Sequence, residues 1–344
     1  MLAVRTLAHS APWIGARELD AAAWALSNGH VAHGSQARAF ERELSTALDA
    51  PYVRVAGSGT EALVLALLAV GVESGDEVVC PTYVCASVTH AIRRCGAVPV
   101  LADNGRTWHI TAESVQAVRT IRTRAVVAVH IFGMRCDVES IAALGLPVVE
   151  DACQAFGLAR KGSPAACAVY SFHATKCLTA GEGGAIATSS SALAGRIENL
   201  SARAAASMRF SDLQASVARV QLSRYDEMRA RRADIAAAYL DALPPALTAP
   251  WREAASNGAV WFRAPLWMPR AVQHLAVRLL FDGDGVAVRQ GVDALLHREH
   301  GRDDAQFPMA TRAFDHTLSI PLWPAMLDDD VARVIDAVRL YVGA

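Results

Sequence analysis

Between Tyr52 and Thr188 the chain alternates short unbroken apolar runs with stretches of helical spacing. Tyr52–Ala56, Glu77–Cys80, Val98–Leu101, Ala125–His130, Pro147–Glu150, Val169–Phe172 and Gly184–Thr188 predict strands, and Thr60–Val70, Cys85–Cys95 and Val138–Leu144 predict helices. Strands that are apolar throughout, rather than at alternate positions, belong to a sheet covered on both faces. The expected class is therefore α/β, with a mostly parallel sheet flanked by helices. Two amphipathic helices, Ala16–Ser27 and Ser35–Leu48, precede this series. After it, Leu213, Val217 and Val220 predict one long helix from Ser211 to Leu243. The Pro244-Pro245 pair and the polar stretch Glu253–Asn257 predict a linker. This divides the chain into a large domain, residues 1–243, and a smaller α+β domain, residues 244–344. In the latter, strands are expected near Val260–Trp267, a helix near Val272–Phe281 and a last helix over Asp328–Tyr341.

Composition narrows the possibilities. The chain has 344 residues, is 53% hydrophobic and carries a net charge of −1. It offers no basic footprint for nucleic acid or an anionic membrane surface. Ala62–Val72, between Glu61 and Glu73, is half the length of a membrane span and reads as a buried helix. Met1–Trp13 has no apolar signal region. The seven cysteines contain no C-x-x-C pair and read as small buried hydrophobes of a reducing cytosol, so a cytoplasmic location is expected. Among the 33 basic residues only Lys161 and Lys176 are lysines.

Three segments carry chemistry. Gly57-Ser58-Gly59-Thr60-Glu61-Ala62 joins a strand to a helix, where free N–H groups and the helix dipole favour a phosphate. It also fits G-x-G-x-x-A, but the acid that should hold a ribose is missing from the end of the next strand, which closes on Pro81-Thr82. Dinucleotide binding is therefore disfavoured. Asp151 ends a buried strand, where it serves either as a helix cap or as a site carboxylate. Twenty-five positions on, Lys176 leads into Gly181-Glu182-Gly183-Gly184. Lysine forms a Schiff base with an aldehyde and arginine does not. A phosphate cradle, a strand-end aspartate and such a lysine are the parts that hold pyridoxal phosphate. His297-Arg298-Glu299-His300 lacks the order of a zinc motif.

These segments resemble the DegT/DnrJ/EryC1/StrS family of sugar aminotransferases, of pyridoxal-phosphate fold type I. The likeness extends over Gly34 with Phe40-Glu41, Gly57–Leu63, Gly75–Val79 with Pro81-Thr82-Tyr83, Val129–Gly133 with Asp137, Glu150–Ala155, Ser171–Lys176 and Leu318–Pro324. It implies an aspartate aminotransferase-like fold with a seven-stranded sheet, and a homodimer with active sites at its interface. It implies transfer of an amino group from an amino acid, expected to be glutamate, to a keto-sugar, expected to be nucleotide-linked, by a ping-pong mechanism. By the same resemblance, Lys176 binds the cofactor and shuttles a proton, and Asp151 holds the pyridine nitrogen. Gln154 lies near the phenolic oxygen, Tyr83 stacks on the ring, and Gly59, Thr60 and Ser171 bind the phosphate. His130 is open between core and substrate contact, and His173 is assigned no catalytic role. Lys161 reads as a solvated surface lysine.

The pattern departs from the family before the long helix. Arg209 and Gln214 match, but Ser207 stands where an asparagine is usual, and the stretch between Gly184 and Arg209 is short. The shortened loop bears on the acceptor. A pyridoxamine-dependent dehydratase, which carries histidine in place of the lysine, and a non-catalytic homologue are the alternatives.

Overall fold

The computed structural model describes residues 6–158, 162–203, 209–256 and 258–342. Its centre is a seven-stranded sheet of β1 (Tyr52–Ala56), β2 (Glu77–Pro81), β3 (Val98–Ala102), β4 (Thr123–Val129), β5 (Val148–Asp151), β6 (Cys167–Ser171) and β7 (Gly184–Thr188), in the spatial order β1-β7-β6-β5-β4-β2-β3. The run from β6 to β3 is parallel; β7 lies antiparallel to both β6 and β1. A second sheet, β8 (Ala264–Trp267), β10 (Thr317–Ile320) and β9 (Arg289–Gln290), is antiparallel. The N-terminal arm reaches this region, where Leu7 bridges Val286.

Every position of β2, β5 and β7 is buried, as unbroken apolar runs require. Helix Gly59–Ala69 packs across β6 and β7 with Leu63, Val64, Leu65 and Leu67 each no more than 4% exposed. Burial on this scale stabilises by roughly 2 kcal/mol per side chain. That fixes the helix, and with it the backbone donors at its first turn. Among the described residues no helix is long and apolar enough to cross a membrane.

The C-terminal half departs from the sequence expectation in two places. Residues 212–242 form two helices, Asp212–Ser223 and Tyr225–Ala242, broken at Arg224. Arg224 is held by Glu18 at 2.8 Å and lies over the Trp13 ring, while the Tyr225 hydroxyl donates to the Phe156 carbonyl at 2.6 Å. These anchors turn the chain where the apolar spacing alone continues. The expected linker is helical over Pro245–Ser256, because proline is well suited to a first helical turn, where its missing N–H costs nothing.

Candidate active site

The site assembles where the strand ends meet. Asp151 at the end of β5 is in register with Val129 and Val169, and Ser171 at the end of β6 faces Gly184 across the antiparallel pair. Gly184 also faces Ala56, the last residue of β1. From there the chain turns directly into helix Gly59–Ala69. Ser58 caps that helix, its Oγ accepting from Glu61 N at 3.1 Å and its carbonyl from Ala62 N at 3.0 Å. This leaves the Gly59 and Thr60 amides as free donors at a helix N-terminus. A Cβ on Gly59 would stand 2.8 Å from Ser171 Cβ, and one on Gly184 would stand 2.5 Å from the Ser58 carbonyl oxygen. Glycine at both points brings the free amides against the Ser171 hydroxyl. The result is a cradle for a phosphate.

Gly59, Thr60, Asp151, Gln154, Ser171 and Lys176 line one cleft of about 400 Å³, a volume typical of a small-molecule site. Asp151 is buried, and its Oδ1 accepts from Cys153 N at 3.0 Å. That bond orients the carboxylate at the cleft wall. Gln154 is fixed by the Phe132 amide, which donates to its Oε1 at 2.7 Å, so its Nε2 remains free to donate. Lys176 makes no ion pair among the described residues, and its Nζ lies 5.2 Å from the centroid of the Phe262 ring. An amine above an apolar ring and engaged in no ion pair among the described residues is well placed to react with an aldehyde.

Tyr83 differs from expectation. It is fully buried beneath the cleft, edge-on to Phe132 with centroids 6.2 Å apart, and does not line the cavity. The turn after β2 directs residue 83 inward and presents Val84, Cys85, Ser87 and Val88 to the cleft. A ring-stacking role does not fit Tyr83's position. His130 is also buried away from the cleft, accepting from Cys136 N through Nδ1 at 3.0 Å with Nε2 3.6 Å from Glu150. His173 does line the cleft. Lys161 and Ser207 lie outside the described residues.

The sequence reading missed Cys85, Phe262, Arg263, Arg289 and Asp293, all on the cleft wall. Arg263 had a signal, being the one charged residue in the apolar run Val260–Met268. Arg289 and Asp293 had none, because residues 289–293 carry no periodic pattern.

A model of the DegT/DnrJ/EryC1/StrS aminotransferase family matches residues 12–339. The chain belongs to this family. It is 33% identical to the spore coat polysaccharide biosynthesis protein SpsC of Bacillus subtilis (strain 168), over 97% of this chain and 96% of that one. It is 28% identical to GDP-perosamine synthase of Vibrio cholerae, over 88% and 89% respectively. The crystal structure of the aminotransferase TlmJ from Streptoalloteichus hindustanus superposes with a TM-score of 0.87 at 30% identity, covering 97% of this chain and 98% of that one. Membership places the chain among the sugar aminotransferases, with the α/β fold of pyridoxal-phosphate fold type I and pyridoxal 5′-phosphate as cofactor. The residues present fit that cofactor. The cradle that a Cβ would fill suits the phosphate, the buried carboxylate of Asp151 suits a protonated ring nitrogen, and the Lys176 amine, unpaired among the described residues, suits the aldehyde.

Proposed function

We propose that this aminotransferase moves an amino group from glutamate to a nucleotide-linked keto-sugar by a ping-pong mechanism, in a homodimer. The carrying observation is the unpaired Lys176 amine in one cleft with the strand-end Asp151 and the glycine-opened helix N-terminus. The nucleotide-linked acceptor draws support from the name of one relative, GDP-perosamine synthase. Self-association is supported by Leu19, Trp24 and Leu26, exposed on the first helix beside a groove of about 1280 Å³.

When bound, pyridoxal phosphate supplies an electron sink for the carbon that loses its proton. Lys176 would hold the cofactor through Nζ, and the same nitrogen is placed to take the donor's Cα proton and return one. Its setting over Phe262, without an ion pair among the described residues, leaves that nitrogen free for both tasks. Asp151 keeps the proton on the ring nitrogen, an electrostatic contribution worth on the order of 10²–10³ in rate. Gln154 Nε2 would donate to the phenolic oxygen, and the Gly59 and Thr60 amides with the Ser171 hydroxyl would hold the phosphate. Phe262, Arg263, Arg289 and Asp293 bring the C-terminal region to the cleft wall.

Visible absorbance of the purified, cofactor-loaded protein tests this reading. A yellow band is expected that bleaches on adding glutamate and returns with a keto-sugar acceptor, and Lys176→Ala should lack it. A wild-type band that no amino donor changes would refute the assignment.

A further inference from the structure

Arg263 and Arg289 enter the cleft from the small-domain side, facing the wall that carries Lys176, Asp151 and Ser171. Neither makes an ion pair among the described residues. Arg263, half-buried, lies with its guanidinium 5.2 Å from the centroid of the Phe262 ring. Lys176 Nζ lies at that same distance from the same ring. At most twice that length separates the two cations.

The two arginines are close enough to act together. Burial and Arg289 hold the Arg263 guanidinium down to about 10. Behind them, His9 is held well below its usual range by burial and by both guanidiniums, and its Nε2 bonds the Ser319 hydroxyl at 2.9 Å. Among the described residues the carboxylate that acts on Arg263 is Asp293, exposed at the rim. A partly dehydrated arginine repelled by its neighbour gains more from an incoming anion than a solvated one does.

We infer that Arg263 and Arg289 form the subsite for the side-chain carboxylate of the amino-acid donor and so select a dicarboxylic donor over a neutral one. The inference rests on the aminotransferase reading above. An arginine fork matches a carboxylate through two parallel N–H···O bonds. The amine of such a donor, anchored at Arg263, falls within reach of the position Lys176 serves. Arg289, exposed at the rim, supplies the second positive charge. A phosphate of the sugar acceptor is the other anion this chemistry suits, and the two half-reactions tell them apart.

The test mixes cofactor-loaded protein with glutamate by stopped flow and follows the loss of visible absorbance. Its concentration dependence gives the donor's apparent Kd and the saturating rate. Arg263→Gln should raise that Kd roughly 10- to 100-fold with little change in saturating rate, and Arg289→Gln should raise it less. Arg263→Lys should recover part of the loss, and Asp293→Asn should lower the Kd. Glutarate, with two carboxylates and no amine, should compete with glutamate in the wild type and lose potency in Arg263→Gln, a binding readout independent of turnover. An unchanged Kd in Arg263→Gln, or a loss confined to the half-reaction with the sugar, would overturn the assignment. Should Arg263→Gln fail to fold, Arg289→Gln and Asp293→Asn still decide it by their opposite signs. If wild-type protein responds to no amino acid, the aminotransferase reading fails before any variant is made.

Discussion

Gly59→Ala probes the phosphate cradle with one carbon atom. The added Cβ would lie 2.8 Å from Ser171 Cβ and 3.1 Å from both Ser171 Oγ and Cys153 Sγ. Ser171 ends β6, which is paired with β5 on one side and β7 on the other, so the strand backbone cannot retreat cheaply. Relief must come from the Ser171 side chain or the first turn of helix Gly59–Ala69, and each is part of the cradle. Overpacking of this kind costs about 1–3 kcal/mol. Alanine's better helix propensity returns ~1 kcal/mol, so apoprotein stability should fall by only about 0–2 kcal/mol. Losing one charge-assisted bond to phosphate costs a further ~1.5–3 kcal/mol in binding, which is roughly 10- to 100-fold in cofactor Kd. The expected signature is a large loss of affinity beside a small loss of stability. Titration of apoprotein with pyridoxal phosphate, read by visible absorbance, gives the first, and thermal melting of the apoprotein gives the second. Gly195→Ala is the control: that exposed helical glycine has nothing within 4 Å of an added Cβ. It should leave cofactor affinity unchanged and stabilise by up to ~1 kcal/mol. Wild-type cofactor affinity in Gly59→Ala would refute the cradle.

Three further outcomes follow from the geometry. Asp151→Asn keeps the volume and an oxygen to accept from Cys153 N but removes the charge, so steady-state turnover should fall about 10²–10³-fold while the melting temperature of the apoprotein changes little. Burial, aided by His130, holds His109 at about 4 against its ordinary 6.5, so between these values the unfolded chain binds the proton first. Stability from this residue is complete above pH ~6.5 and is lost as pH falls toward 4, by roughly 3 kcal/mol; denaturant titrations should find that fall smaller in His109→Gln. Gly291→Ala would put a Cβ 1.9 Å from the Tyr83 hydroxyl and 2.8 Å from Phe132 Cζ, both buried. About 3 kcal/mol of stability should be lost, and a melting temperature equal to wild type would contradict the packing of Tyr83 beneath the cleft.

The central sheet was legible because its strands are buried on both faces, and an unbroken apolar run has few other homes. The last helix, Asp328–Tyr341, carried its own start signal in Asp328, Asp329 and Asp330, acidic residues in the first turn. What escaped the pattern depends on contacts distant in sequence. Nothing between Ser211 and Leu243 marks the break at Arg224, since Glu18 and Trp13, which hold that residue, lie some two hundred positions away. The proline pair ahead of Pro245–Ser256 was ambiguous, because proline both ends chain order and begins helices. β9 is two residues long and exists only because β10 pairs with it.

The site divides in the same way, by how much each residue's role is written into its own neighbourhood. Asp151, Ser171, Gly59 and Thr60 sit at strand ends or at a strand–helix junction, and a local pattern fixes such places. Tyr83 and Cys85 lie in the turn after β2, where a shift of two positions decides which side chain meets the cleft, and no periodicity settles that choice. The basic residues are the instructive case. A chain with 33 basic residues and two lysines uses arginine wherever a fixed positive charge suffices. Arginine stays protonated and presents a rigid fork, properties that suit holding an anion; lysine surrenders its proton when desolvated, which suits imine chemistry and proton transfer. Lys176 could be singled out from sequence because its residue type is the exception. Arg263 carried only the mark of a lone charge in an apolar run; its type is the rule, and the third dimension separates it from the surface arginines. The cleft sets the two kinds of cation against one aromatic ring, so that position, not composition, gives an ordinary arginine a distinct task.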